Sequence, residues 1–113
     1  MPGQRWRVRL SEPAEHDFLA ILDWTAENFG RRQASVYRRT LIAALAALHA
    51  GPGVPGSVLR DEIQPGLRSL HVARRGRRGR HFVLYRAAAG ATVEVIRILH
   101  DAMDLAAAMS SNQ

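Results

Sequence analysis

At 113 residues, with 47% hydrophobic and 23% charged side chains, the chain is sized for one hydrophobic core and is too apolar to stay unfolded. It contains no cysteine, which excludes disulfides and thiolate metal sites and fits a reducing compartment. All sixteen basic residues are arginine, against ten acidic ones, and the net charge of +6 draws acidic proteins or nucleic acid toward the surface. A genome rich in arginine codons produces the same preference over lysine, yet the planar guanidinium still offers bidentate contacts that lysine lacks. The opening Met1-Pro2-Gly3-Gln4-Arg5-Trp6-Arg7 holds no apolar stretch of the kind found in signal peptides. No run approaches the ~18 apolar residues needed to span a bilayer. A soluble, cytoplasmic protein with no membrane association is expected.

Residues 5–10 alternate, with Trp6, Val8 and Leu10 on one side and Arg5, Arg7 and Arg9 on the other, which predicts a half-buried strand. Ser11 then offers a helix cap, Pro13 is tolerated in the first turn, and Glu12 and Glu15 suit the positive end of the helix dipole. The helix is predicted to run to about Asn28, because Ala14, Phe18, Ile21, Leu22, Thr25 and Phe29 share one face, and Gly30 stops it. A second helix starts at Arg31 or Arg32 and continues to about His49. Ala34, Tyr37, Leu41, Leu45 and Leu48 form its stripe, while Arg31, Arg32, Arg38 and Arg39 point to solvent. So short a connection forces an antiparallel helical hairpin. Residues 51–56, a glycine- and proline-rich run, form a loop.

From there the apolar period changes from helical to alternating. Strands are predicted over 67–73, 81–86 and 92–99, and Phe82-Val83-Leu84-Tyr85, apolar on both faces, marks a central strand. Residues 74–80 carry five arginines (Arg74, Arg75, Arg77, Arg78 and Arg80) and lie between two strands, so they form a hairpin loop; Ala88-Ala89-Gly90-Ala91 makes the next turn. Asp101 is expected to cap a short helix through Met103, Leu105, Ala106 and Met109, and the chain is expected to fray from Ser110 to Gln113. The fold class is α+β: an N-terminal strand and a helical hairpin packed on a mainly antiparallel sheet. One domain over 1–113 is expected, with its core over about 5–104 and a tail over 105–113.

His16, His49, His71, His81 and His100 show no metal-ligand spacing, so neither a metal nor another cofactor is expected. Gly76 and Gly79 sit in a strand–strand turn rather than before a helix, so they do not form a phosphate-binding glycine loop. The arginine loop lacks interleaved aromatics, which argues against base stacking there. Trp24 and Tyr37 are read as lying at the edge of the core, although aromatics in such positions also serve as binding hot spots.

The order of elements and an ordered set of residues resemble the ParE branch of the RelE/ParE toxin superfamily over nearly the whole chain. The matching positions are Ala14, Asp17, Phe18, Ile21, Trp24 and Gly30; Ala34, Tyr37, Leu41 and Leu48; Gly66-Leu67-Arg68; Tyr85-Arg86; and Arg97-Ile98-Leu99-His100 followed by Met103-Asp104. Ala102 stands where many relatives have arginine, and the 74–80 loop is more basic than usual.

The resemblance implies the toxin half of a type II toxin–antitoxin pair of the plasmid-stabilising kind. Such a toxin inhibits DNA gyrase without catalysis and is neutralised by a ParD-type antitoxin in a two-plus-two heterotetramer with an antitoxin dimer. It further implies that Trp24, Tyr37, Leu41, Arg68, Arg86 and Arg97 bind the antitoxin, that His100, Asp101, Met103 and Asp104 face the target, and that the arginine loop could touch DNA. The enzymatic alternative is a ribosome-dependent messenger RNase of the RelE type, with His100 near the attacking hydroxyl and Arg68, Arg86 and Arg97 stabilising the charged phosphorane. The plainer roles are ion pairs of the three arginines with Asp61, Glu62 or Glu94, and local pairing of His100 with Asp101 or Asp104. A basic nucleic-acid-binding module without toxicity is the third alternative.

Overall fold

The computed structural model describes residues 5–110. Strand β1 (Arg7–Leu10) leads into helix α1 (Glu12–Phe29), and α2 (Arg31–Ala47) returns antiparallel and tightens into one 3-10 turn, Leu48–Ala50. There follow β2 (Val58–Leu59), β3 (Arg68–His71), β4 (His81–Ala88), β5 (Thr92–His100) and a short α3 (Leu105–Ser110). The five strands form one mixed sheet in the order β1-β5-β4-β3-β2, with β1 parallel to β5 and the other neighbours antiparallel. The α+β expectation holds, and the apolar strand does occupy the centre. Four details differ. The two-residue β2 is new, β3 is shorter than its 67–73 prediction, β4 runs two residues beyond Arg86, and Phe29 is 65% exposed rather than on the buried stripe. Of the residues expected to fray, Ser110 ends α3 and 111–113 lie outside the described ones.

Local chemistry explains the first turn of α1. Ser11 Oγ accepts from the Ala14 backbone N–H at 3.1 Å, with Pro13 in the first turn, and Gly30, at φ +91°, closes the helix by donating to Ala26 O at 2.9 Å. The hairpin buries Ala14, Leu41, Ala44 and Leu48 against Val83, Tyr85, Val93, Val95 and Ile98 of the sheet. A smaller core lies on the opposite face, where Met109 of α3 packs with Leu67, Leu84 and Leu99. The expected tail therefore begins as a docked helix. Its cap is Asp104, whose carboxylate accepts from Ala107 N at 3.1 Å, and not the Asp101 expected from sequence.

Beside β1 the fourth and fifth strands are irregular. Tyr85 faces Val95 while Leu84 faces Arg97, so Ile96 is an extra residue in β5. The apolar spacing on the hairpin side stretches accordingly from Val93 and Val95 to Ile98. Here β1 has ended, and α1 takes its place along the edge of β5. Ser11 N–H donates to Val95 O at 2.9 Å, Ser11 Oγ donates to Ile96 O at 2.8 Å, and Ile98 N–H donates to Asp17 Oδ2 at 2.9 Å. The backbone groups that the bulge and the short strand would strand are thus satisfied by a helix cap and a carboxylate.

Candidate functional site

The arginines expected to act together are distributed and already engaged. Arg97 makes a bidentate pair with Asp17, with Nε at 2.7 Å and Nη2 at 2.9 Å, and both side chains are largely buried. Glu94 lies between Arg9 at 3.1 Å and Arg86 at 3.6 Å, so the expected pairing is met at Arg86 and not at Arg97. Arg68 donates to Ser57 Oγ at 3.2 Å, and neither Asp61 nor Glu62 reaches it: Asp61 accepts from Gly66 N and Glu62 lies 3.8 Å from Arg60. Arg86 stands five residues along β4 from His81, the residue opposite His100, a separation of about 16 Å at strand rise. A phosphorane needs its donors converged within hydrogen-bond reach, and these four groups do not converge. Two of the residues tied to antitoxin binding also change role. Leu41 is wholly buried under α2 and Arg97 is an internal clamp between α1 and β5, so neither offers a surface to a partner.

A different constellation gathers where the turn of the helical hairpin meets the ends of three strands. Trp24 and Phe29 come from the last turns of α1, Gln33 and Tyr37 from the start of α2, Arg77, Arg78, Gly79 and Arg80 from the loop, and His81 and His100 from β4 and β5. Together with Thr25 and Ala73 they line a cleft of about 620 Å³ that contains no carboxylate. Trp24 is 57% exposed, which makes it a wall of the cleft and not the core edge expected from sequence. The loop is the predicted β3–β4 hairpin. Arg77 N–H closes a turn on Arg74 O at 3.1 Å, with Arg75 at φ +53° and Gly76 at φ +81°, the pair of positive φ values that primed hairpin turns require. Gly79 lets this loop approach α2, since a Cβ there would meet Val72 Cγ2 and lie 2.9 Å from the Tyr37 hydroxyl.

Hydrogen bonds order the floor of the cleft. The Tyr37 hydroxyl lies 2.6 Å from His81 Nδ1 and accepts from Arg80 N–H at 3.1 Å. The arrangement that satisfies all three groups has Tyr37 donating to an unprotonated Nδ1, which leaves the His81 proton on Nε2. Burial, followed by the charge of His100, lowers His81 to about 4, and burial raises the Tyr37 hydroxyl. Next to them Asp101 accepts from His71 Nε2 at 2.9 Å and pairs with Arg80 at 3.0 Å; these bonds, Arg80 foremost, hold its carboxyl at about 2. His100 stacks edge-on to His81 at 5.3 Å and takes the Ala102 N–H on Nδ1 at 3.0 Å, with Asp101 3.7 Å away. The local pairing expected for His100 is present but loose. Of the other target-facing candidates, Met103 is 48% exposed and Asp104 serves the α3 cap.

A histidine acts as a base near neutral pH only with a free nitrogen lone pair and a matched pKa. His81 has neither, because Nδ1 is bonded to Tyr37 and its pKa is far below neutral. Its titration does couple to folding. The unfolded chain takes up a proton below about 6.5 while the folded one does not until about 4, so the contribution is full above that interval and is lost as pH falls through it. Discounted for the solvent that reaches the ring, the effect is about 1–2 kcal/mol. Urea midpoints measured near pH 4.5 and pH 7 should differ by less in His81→Gln than in the parent chain.

Sequence reasoning missed the Tyr37–His81 bond and the His71–Asp101–Arg80 group, whose partners lie far apart in the chain. A usable signal existed: a hairpin centred on Gly76 sets His71 beside Phe82, and antiparallel pairing then brings His81 and His100 to the same end of the sheet.

Known proteins share this organisation. A family model described as the ParE toxin of the type II toxin–antitoxin system, parDE, matches residues 8–105. The chain is 34% identical to a protein named Toxin ParE1 from Mycobacterium tuberculosis over 99 residues, spanning 88% of this chain and 93% of that one. A Toxin ParE1 from Caulobacter vibrioides is 35% identical over 98 residues, 85% and 90% of the two chains. Among solved structures, a chain of the chromosomal ParDE system of P. aeruginosa superposes with a TM-score of 0.64 at 20% identity, over 87% of this chain and 98% of that one. A chain of the RelBE2 toxin–antitoxin complex of Mycobacterium tuberculosis superposes with a TM-score of 0.52 at 26% identity, over 85% and 98%. With the hairpin-on-sheet fold in place and most of its length matched, the chain belongs to the ParE toxin family of type II toxin–antitoxin systems.

Proposed function

We propose that this ParE-type toxin acts by occupancy: it holds DNA gyrase in the cytoplasm and is neutralised by a ParD-type antitoxin, two toxins to one antitoxin dimer. The observation that carries the non-catalytic reading is the dispersal of Arg68, Arg86, Arg97 and His100, with Arg97 locked on Asp17 and Arg86 beside Glu94. The antitoxin partner is supported by the family match and by the two complexes named for the structural neighbours. The net positive charge favours an acidic partner segment that folds on binding, and Trp24, Tyr37, Arg68 and Arg86 remain its proposed contacts. No helix among the described residues is long and apolar enough to cross a membrane.

Induction of the gene in a bacterial host tests this. Gyrase inhibition predicts filamentation, DNA-damage signalling, intact transcripts and loss of supercoiling activity by purified gyrase. Growth should recover when the antitoxin is co-expressed, and light scattering of the complex should return a two-plus-two mass. The RelE-like neighbour keeps the messenger-RNase reading in play. Rapid cleavage of translated messages with supercoiling untouched, abolished by His100→Ala, would establish it instead.

A further inference from the structure

We infer that the cleft between the end of α1 and the arginine loop binds single-stranded nucleic acid, with one unpaired base against Trp24 and its phosphates on Arg77 and Arg78. Charge supplies the first argument. Arg80 is neutralised by Asp101, whereas Arg77 and Arg78 form no ion pair among the described residues, and no carboxylate lines the cleft. A polyanion there meets uncompensated guanidinium groups, which bind phosphate in planar, bidentate fashion.

The walls supply the second argument. Trp24 and Phe29 are 57% and 65% exposed and meet edge-to-face, with centroids 5.7 Å apart and planes at 67°. Such geometry leaves ring faces open to a planar guest. An exposed aromatic pair facing arginines is the combination that single-strand sites use, stacking for the base and cations for the backbone. The arginine loop has no aromatics in its own sequence; the fold supplies them from residues some fifty positions upstream.

Size and donors complete the case. A cleft of about 620 Å³ lies within the range of small-ligand sites and can take a nucleotide. Its only aliphatic lining residue is Ala73, so flat aromatic rings make up most of its apolar wall. The Tyr37 bond leaves His81 with an N–H on Nε2, a donor for a base edge.

Fluorescence anisotropy on the purified chain tests this, using labelled thymidine and uridine oligomers of about ten nucleotides, within the span of known single-strand sites. A duplex of equal length serves as the control. The single strands should bind more tightly than the duplex and quench tryptophan emission. Trp24→Ala should weaken binding by about tenfold, the effect of losing one stacked base, while Trp24→Phe should retain most of it. Because Trp24 is exposed, both variants should melt like the parent, which separates loss of contact from loss of fold. Arg77→Ala and Arg78→Ala should each lower the log–log salt slope by ~0.7, while Trp24→Ala leaves the slope unchanged. Equal binding of duplex, unchanged affinity in Trp24→Ala, or capture of only an acidic leucine-containing peptide would overturn the inference. A deoxyuridine oligomer, which differs from the uridine one only in lacking the 2′-hydroxyl, identifies the preferred sugar. Growth and supercoiling assays read the gyrase proposal separately, so either conclusion can fail alone.

Discussion

Asp17→Ala is expected to lower the stability of the fold by about 3 kcal/mol, toward the lower end for removing one member of a buried ion pair. The change has two parts. Arg97, 17% exposed in its side chain, loses a bidentate partner and keeps a charge that water only partly reaches. The Ile98 N–H loses its only acceptor at the place where β1 no longer runs beside β5. A domain of this size holds about 5–15 kcal/mol in total, so the loss is a large fraction and should lower the melting temperature by about 10–15 °C. Chemical denaturation should show a lower midpoint with the same slope. Asp17→Asn should cost less, because an amide oxygen can still accept from Ile98. If the pair acts as a unit, Asp17→Ala combined with Arg97→Met should be more stable than Asp17→Ala alone. A double variant less stable than that single one would show that Arg97 is held by something other than Asp17.

Leu41→Ala should destabilise by a similar amount, about 3 kcal/mol, through lost transfer energy plus the cavity left behind. Leu41 is wholly buried in the main core, which includes Ala14, Leu48, Val83 and Tyr85, and two of these are too small or too rigid to fill a void. The result bears on function as well. A contact residue weakens the complex without weakening the free toxin, whereas Leu41→Ala should weaken the free toxin and leave the affinity of the folded fraction for its antitoxin unchanged. Affinity that falls further than the folded fraction accounts for would restore Leu41 to the interface.

The elements with strong local signals were legible from sequence. Ser11, Pro13 and Gly30 bracket α1 where expected, the apolar stripe of α2 is real, and the doubly apolar Phe82-Val83-Leu84-Tyr85 run does lie mid-sheet. What escaped was mostly non-local. A two-residue β2 has no period to detect, and the bulge at Ile96 disguises itself as a break in alternation. Asp17 and Arg97 are 80 positions apart, so nothing near either one announces the pair. For the same reason His71, His81 and His100 looked like scattered histidines, and Trp24 looked like a residue at the core edge. Asp101, the cap expected from sequence, is taken up by His71 and Arg80, and Asp104 caps α3 in its place.

The parallel pairing of β1 with β5 imposes an order on folding. Arg7 has Thr92 as its partner, and Ser11 and Asp17 wait for Ile96 and Ile98. Contacts of such long sequence separation form late because loop closure must precede them. A nascent chain halted before its final strand emerges therefore lacks both the neighbour of its first strand and the clamp on its first helix. This wiring ties closure of the fold to the arrival of β5.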